Sequence, residues 1–153
     1  NNNMTQNNRL KIKNEKFLGN ISLNQYVKWD ALALVNFVNC RFVEIDFLGK
    51  AINLCSFENS NFNSLSFRKC QFTGCTFKNC QLTDVDLTRA EFDSCSFTNC
   101  SFLKVDLTAS DFTRCKFKKT TFLESNLALI LIEDVKVWKS NEWIELKDFS
   151  DFN

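Results

Sequence analysis

CSFEN-SNFNS-LSFRK-CQFTG-CTFKN-CQLTD-VDLTR-AEFDS-CSFTN, residues 55–99, carries Phe or Leu at the third place of every group of five. Outward from this stretch the rule holds from Phe37 to Ile132: each fifth residue is Phe, Leu or Ile. A period of five matches neither a helix at 3.6 residues per turn nor a strand alternating every second residue. Fixed-period self-similarity is the mark of a solenoid, in which each unit buries its apolar residue only by stacking on its neighbours. A second column supports that reading. The residue two before each large centre is small or compact, Lys50 apart, and all eight Cys of the chain lie in it.

A period of twenty is superimposed on the five. VDLT occurs at 85–88 and again at 105–108, and Asn recurs at 39, 59, 79 and 99. Neighbours in space are then twenty apart in sequence, so one turn holds four units of five and the cross-section is a square. With turns stacked ~4.8 Å apart, as neighbouring strands are, five turns make a rod of about 24 Å.

Units such as CSFEN (55–59), CQFTG (70–74), CTFKN (75–79), VDLTR (85–89), CSFTN (95–99) and SDFTR (110–114) resemble the pentapeptide repeat pattern of a small residue, a polar residue, Leu or Phe, and two polar residues. The resemblance covers 35–132. It implies an all-β fold, a right-handed quadrilateral β-helix of about five regular coils with short bridges and corner turns. It implies no particular activity, because fold does not fix function.

The expected organisation is a disordered or vector-derived leader at 1–9, Asn1 to Asn3 preceding the only Met, then an irregular N-terminal coil or cap at 10–34, the solenoid at 35–134, and a C-terminal segment at 135–153. The five-residue register runs backward through Leu32, Val27, Phe17 and Ile12, and fails at Ser22. The tail is expected to cap the last coil, which otherwise exposes its core and unpaired backbone groups. Ser140 or Asn141 is placed to cap a short helix running to about Asp148. Trp138, Trp143, Ile144, Leu146, Phe149 and Phe152 are more apolar surface than a cap requires, and related bacterial proteins of the resembled family dimerise through a C-terminal segment. Beside the cap, a homodimer through part of this tail is therefore expected, and the two readings are compatible.

The chain has no His, which removes the commonest general base. Zinc sites favour Cys pairs two to four residues apart on converging loops. Here every Cys sits in one inward column, the place of a small buried apolar residue. Disulfides are not expected, since parallel stacked Cys do not offer the required twist of about 90°. No Gly-rich phosphate loop occurs. The expectation is a non-enzyme without cofactor or metal. Eight reduced thiols, no apolar leader in the first thirty residues and a longest apolar run of Leu127 to Ile132 point to a cytoplasmic protein without a membrane partner.

Charge is segregated. Residues 1–34 carry five Lys and Arg against two Asp and Glu, 35–132 eleven against ten, and 133–153 three against six. Asp84, Asp86, Glu91, Asp93, Asp106 and Asp111 form an acidic strip on two adjacent coils, and Lys78, Arg114, Lys116, Lys118 and Lys119 a basic cluster beside the Asn column. The strip is the candidate surface for a protein partner, with a solvated face as the plain alternative. The resemblance adds a second functional reading. Some pentapeptide repeat proteins mimic B-form DNA and dock on DNA gyrase or topoisomerase IV, as in quinolone resistance. Two departures weigh against it: DNA carries one charge per ~1.7 Å of axis, whereas this chain has one acidic strip, and its register never breaks to admit the long loops some resistance proteins carry. Direct nucleic-acid binding is not expected, because no exposed aromatic interleaves with the basic cluster.

Overall fold

The computed structural model describes residues 9–152, so the reading of the first nine residues as a leader falls almost wholly outside the described part. The chain forms a right-handed quadrilateral β-helix of about five turns. Its sides follow one another every five residues. The first side is an eight-stranded sheet through Val35–Val38, Ser56–Glu58, Thr76–Lys78, Ser96–Thr98 and Lys116–Lys118. The second is a six-stranded sheet through Arg41–Val43, Asn61–Ser66, Gln81–Asp86, Ser101–Leu103 and Thr121–Leu123. The fourth is a seven-stranded sheet through Ala51–Asn53, Gln71–Thr73, Glu91–Asp93, Asp111–Thr113 and Leu131–Glu133. Between them, the third side is made of tight turns and short bridges, such as Asp86 to Asp106 and Asp106 to Asn126.

The twenty-residue register is visible in the parallel pairing of Phe57 with Phe77, Phe77 with Phe97 and Phe97 with Phe117. Their rings stack with centroids 5.0, 4.8 and 4.9 Å apart and planes within 13° of parallel. Rings from adjoining sides meet edge-on or tilted, as Phe92 and Phe97 do at 5.7 Å and 65°, so the core alternates the two geometries that aromatic quadrupoles favour.

The square is turned at its corners by one left-handed residue per unit. Asn59, Ser64, Lys69, Gly74, Asn79, Asp84, Arg89, Ser94 and Asn99 have φ between 50° and 64°. No Val, Ile or Thr has positive φ among the described residues, because a β-branched side chain is the costliest to hold there. The third side has its own signature. Asp46, Asp86, Asp106 and Asn126 each accept a hydrogen bond from the amide two residues on, at 2.8–3.0 Å, and Ser66 Oγ does so at 3.2 Å. Side chains that imitate a backbone turn in this way explain why this side turns rather than forming a continuous ladder.

The first coil is longer than the rest. Ile12 pairs with Phe37 and Phe17 with Phe42, a register of twenty-five. The extra residues form a 3-10 helix, Asn20–Tyr26, in which Leu23 is buried where a third-side centre belongs. Ser22 lies in that helix, its hydroxyl donating to the Gly19 carbonyl at 2.6 Å. Val27, expected in step, instead pairs antiparallel with Leu32. Trp29 and Asp30, at φ 53° and 55°, make the two-residue turn of this small hairpin.

The tail differs from its expectation. Residues 142–145 are not helical: Glu142–Glu145 is a strand that pairs antiparallel with Lys136–Lys139, Trp138 opposite Trp143, through a turn at Ser140 and Asn141, both at positive φ. Ser140 and Asn141 close a hairpin rather than cap a helix, because the preceding strand already offers a sheet edge with which residues 142–145 pair. The short helix is a 3-10 turn further on, Phe149–Phe152. Phe149 lies 5.1–5.7 Å from the rings of Phe112, Phe117 and Phe122, and Phe152 5.0–5.1 Å from Phe122 and Phe117. With buried Leu146 they close the open end of the aromatic core.

Candidate interaction surfaces

The eight cysteines are all buried in the wall. Each thiol donates towards the backbone carbonyl of a core residue in the preceding coil, as Cys70 does to Phe47 at 3.1 Å, Cys75 to Ile52 at 3.1 Å and Cys80 to Phe57 at 3.3 Å. Thr120 takes the same place with its hydroxyl, 3.3 Å from the Phe97 carbonyl. Burial pushes the Cys55 and Cys70 thiols up to about 12, which withholds the thiolate that metal binding and nucleophilic attack require. Among the described residues no group of three or more His, Cys, Asp or Glu converges as a metal site would. Among the described residues no helix is long and apolar enough to cross a membrane.

The six acidic residues divide around a corner. Asp84 occupies the corner between the second and third sides, and Asp86 and Asp106 lie on the third side. Glu91 and Asp111 are paired neighbours on the fourth side, and Asp93 stands beside them. Asp93 is compensated: the Arg114 guanidinium holds it at 2.7 and 2.8 Å, and a hydrogen bond from Ser94, then that from Arg114, pull its carboxyl below the ordinary value. Arg89 occupies the corner that separates the two halves.

Two acidic residues that sequence reasoning left out complete the third-side half. Glu44 and Asp46 come from two coils before, and with Ser64 and Ser66 of the coil between and Asp84 and Asp86 they line an open groove of about 730 Å³. The signal was present, since 44 and 46 are forty residues before 84 and 86 and so share their columns. The carboxylates of Asp46, Asp86 and Asp106 already accept turn hydrogen bonds, so fold and surface charge use the same atoms.

The tail residues divide as well. Leu146, Phe149 and Phe152 face the core, Trp138 is half-buried, and Trp143 and Ile144 sit exposed on the terminal strand. Where it enters its fourth side, the last coil leaves Leu129 78 % and Leu131 67 % exposed, Leu129 lining a hollow of about 280 Å³ with Leu127, Ile130, Ile132 and Phe149. At the opposite end Ile21 and Trp29 protrude from the inserted segment, Trp29 with 98 % of its surface free. Nothing in the five-residue pattern marks them, because they lie where that pattern is interrupted.

A solenoid of stacked pentads, with a buried Phe and Cys wall and flat polar sides, defines a repeat protein that presents surfaces. The pentapeptide repeat region matches residues 50–127, half of the chain, and the chain belongs to the pentapeptide repeat family. No curated protein matches the sequence. Among solved structures it is similar to the pentapeptide repeat protein Rfr23 from the cyanobacterium Cyanothece 51142, at 11 % identity over 72 % of this chain and 92 % of that one, TM-score 0.47. It is also similar to a trypsin-treated form of QnrB1, a plasmid-mediated fluoroquinolone resistance protein, at 14 % identity over 82 % of this chain and 73 % of that one, TM-score 0.43.

Proposed function

We propose that this protein is a non-catalytic scaffold that binds a protein partner through the acidic groove at the junction of its second and third sides. The observation that carries this reading is the alignment of Glu44, Asp46, Asp84 and Asp86 along one open groove, continued by Asp106 in the next coil. The rigid wall fixes Glu44 and Asp46 two coils from Asp84 and Asp86, with Ser64 and Ser66 between them and Asp106 stacked on Asp86, so a basic partner surface meets a preset pattern of charge without ordering cost on this side. Glu91 and Asp111 extend the acidic field around the corner, and Asp93 contributes less because Arg114 neutralises it.

The second reading is a DNA mimic acting on a type II topoisomerase, DNA gyrase or topoisomerase IV, through the same groove. It rests on the family resemblance and on the row of stacked carboxylates. Buried thiols that must stay reduced favour a cytoplasmic setting. Residues 35–134 form the presenting rod and 10–34 one end of it. Residues 135–153 serve as cap and, with Leu129 and Leu131, as the contact with a second copy of the chain.

The test uses Asp86→Asn with Asp106→Asn. Asn keeps the side-chain oxygen that closes each turn, so charge is removed with the fold intact. Pull-down with the parent is expected to retain a basic protein partner that the double variant loses at least tenfold. A gyrase supercoiling assay with and without fluoroquinolone separates the two readings: dose-dependent inhibition or protection, lost in the variant, selects the topoisomerase reading. Equal capture by parent and variant reduces the groove to a solvated face.

A further inference from the structure

The expectation that no aromatic interleaves with the basic cluster fails in three dimensions. The terminal hairpin folds Trp143 back beside Trp138 on the first side, rings 5.2 Å apart at 68°. Lys116 Nζ lies 5.1 Å from the centre of the Trp143 ring and Lys118 Nζ 4.8 Å from that of Trp138. Lys136 is the sheet partner of Lys116, and Lys119 occupies the adjoining corner. Among the described residues no carboxylate lies within 4.0 Å of the ammonium groups of Lys116, Lys118, Lys119 or Lys136. Glu142 and Glu145 stand across the hairpin from Lys139 and Lys136, leaving the patch cationic. This surface is separate from the acidic groove, and the inference does not rest on that reading.

We propose that this lysine–tryptophan face of the first side binds single-stranded nucleic acid. Its chemistry answers both parts of such a chain. The lysines supply phosphate contacts, whose binding releases counterions. The Trp143 ring, 40 % exposed, supplies a platform on which an unpaired base stacks irrespective of sequence when Lys116 swings from its face to a phosphate. A flat sheet bearing aromatics is a form that accepts splayed bases, whereas duplex DNA keeps its bases stacked inside and meets such a face only through phosphate. A membrane would require apolar side chains standing proud of the charges, but here the ammonium groups lie over the rings. An acidic polypeptide would engage the lysines and leave the rings without a role.

The test is fluorescence anisotropy with the full chain and fluorescein-labelled oligothymidylate and oligouridylate of about 12 nucleotides at about 50 mM salt. Micromolar binding is expected, falling with salt at a logarithmic slope of about −2 to −3 for three or four neutralised phosphates. Lys116→Glu with Lys118→Glu is expected to weaken it at least tenfold. Trp143→Leu, which keeps an apolar group on the hairpin, is expected to weaken it about fivefold at unchanged circular dichroism and melting temperature. Asp86→Asn with Asp106→Asn is expected to leave it intact. The two oligonucleotides distinguish DNA from RNA as the source. Absence of binding overturns the proposal. So does binding insensitive to Trp143→Leu, or binding matched by duplex DNA, polyglutamate or phosphatidylserine vesicles of equal charge, since each reduces the face to a general polyanion contact.

Discussion

At the residue scale, one position in five does two jobs. Asn39, Asn59, Asn79 and Asn99 take the left-handed corner conformation that Asn tolerates better than most residues. Their amides also bond along the rod, Asn79 Nδ2 to Asn59 Oδ1 at 3.0 Å and Asn99 Nδ2 to Asn79 Oδ1 at 2.7 Å. Asn79→Val therefore loses both ladder bonds and forces a β-branched residue into positive φ, and is expected to cost about 2–3 kcal/mol. Asn79→Gly keeps the backbone relaxed and is expected to cost about 1 kcal/mol, and urea unfolding of the two variants checks the order. The inward thiols give a second outcome. A thiol titrating near 12 when folded and at its ordinary 9.0 when unfolded favours the folded state fully below pH 9.0 and loses that advantage as pH rises towards 12. The melting temperature is expected to fall above pH 9.0, with a shallower fall for Cys55→Ala with Cys70→Ala. An equal fall in both proteins would show that the thiols are not its cause.

At the scale of elements, the tail is two devices joined end to end. The hairpin of Lys136–Lys139 and Glu142–Glu145 adds a strand to the first side, and the turn Phe149–Phe152 seals the aromatic core. Neither covers Leu129 and Leu131, whose coil has no following coil over them. That uncovered surface, at the same end of the rod as the edge strand that exposes Trp143 and Ile144, is the contact we propose for a second copy, since edge and apolar surface together invite pairing. Light scattering is expected to give a dimer for the parent and a monomer for Leu129→Glu with Leu131→Glu. These positions are outward-facing, so the substitution leaves the core untouched. A monomeric parent, or a dimeric variant, would reject the contact.

At the scale of the whole molecule, each coil rests on its neighbours alone, and the unit of repetition is twenty residues, not five. Deleting 75–94 joins Gly74 to Cys95 in register and is expected to leave a cooperative, shorter rod of lower melting temperature. Deleting only 75–79 displaces every later unit by one side, placing ladder residues where the third-side turns belong. That variant is expected to lose cooperative unfolding by circular dichroism, and a cooperative transition in it would show that the four sides are interchangeable.

The sequence by itself determined the solenoid, because burial every fifth residue permits one backbone path and a repeat of twenty closes it into a square. It also placed Cys in the wall and Asp84, Asp86 and Asp106 outside. The Asp, Ser, Asp, Asp, Asn column at 46, 66, 86, 106 and 126 was legible too, as turn-forming side chains at a spacing of twenty. What only the tertiary structure decided lies where the period stops. Leu23 fills the core from an inserted 3-10 helix, Trp143 returns to the lysines by hairpin pairing, and Phe149 reaches the core through a turn. Such placements depend on which edge or hole is left open after the coils have stacked. That is a property of the assembled rod and not of any local spacing.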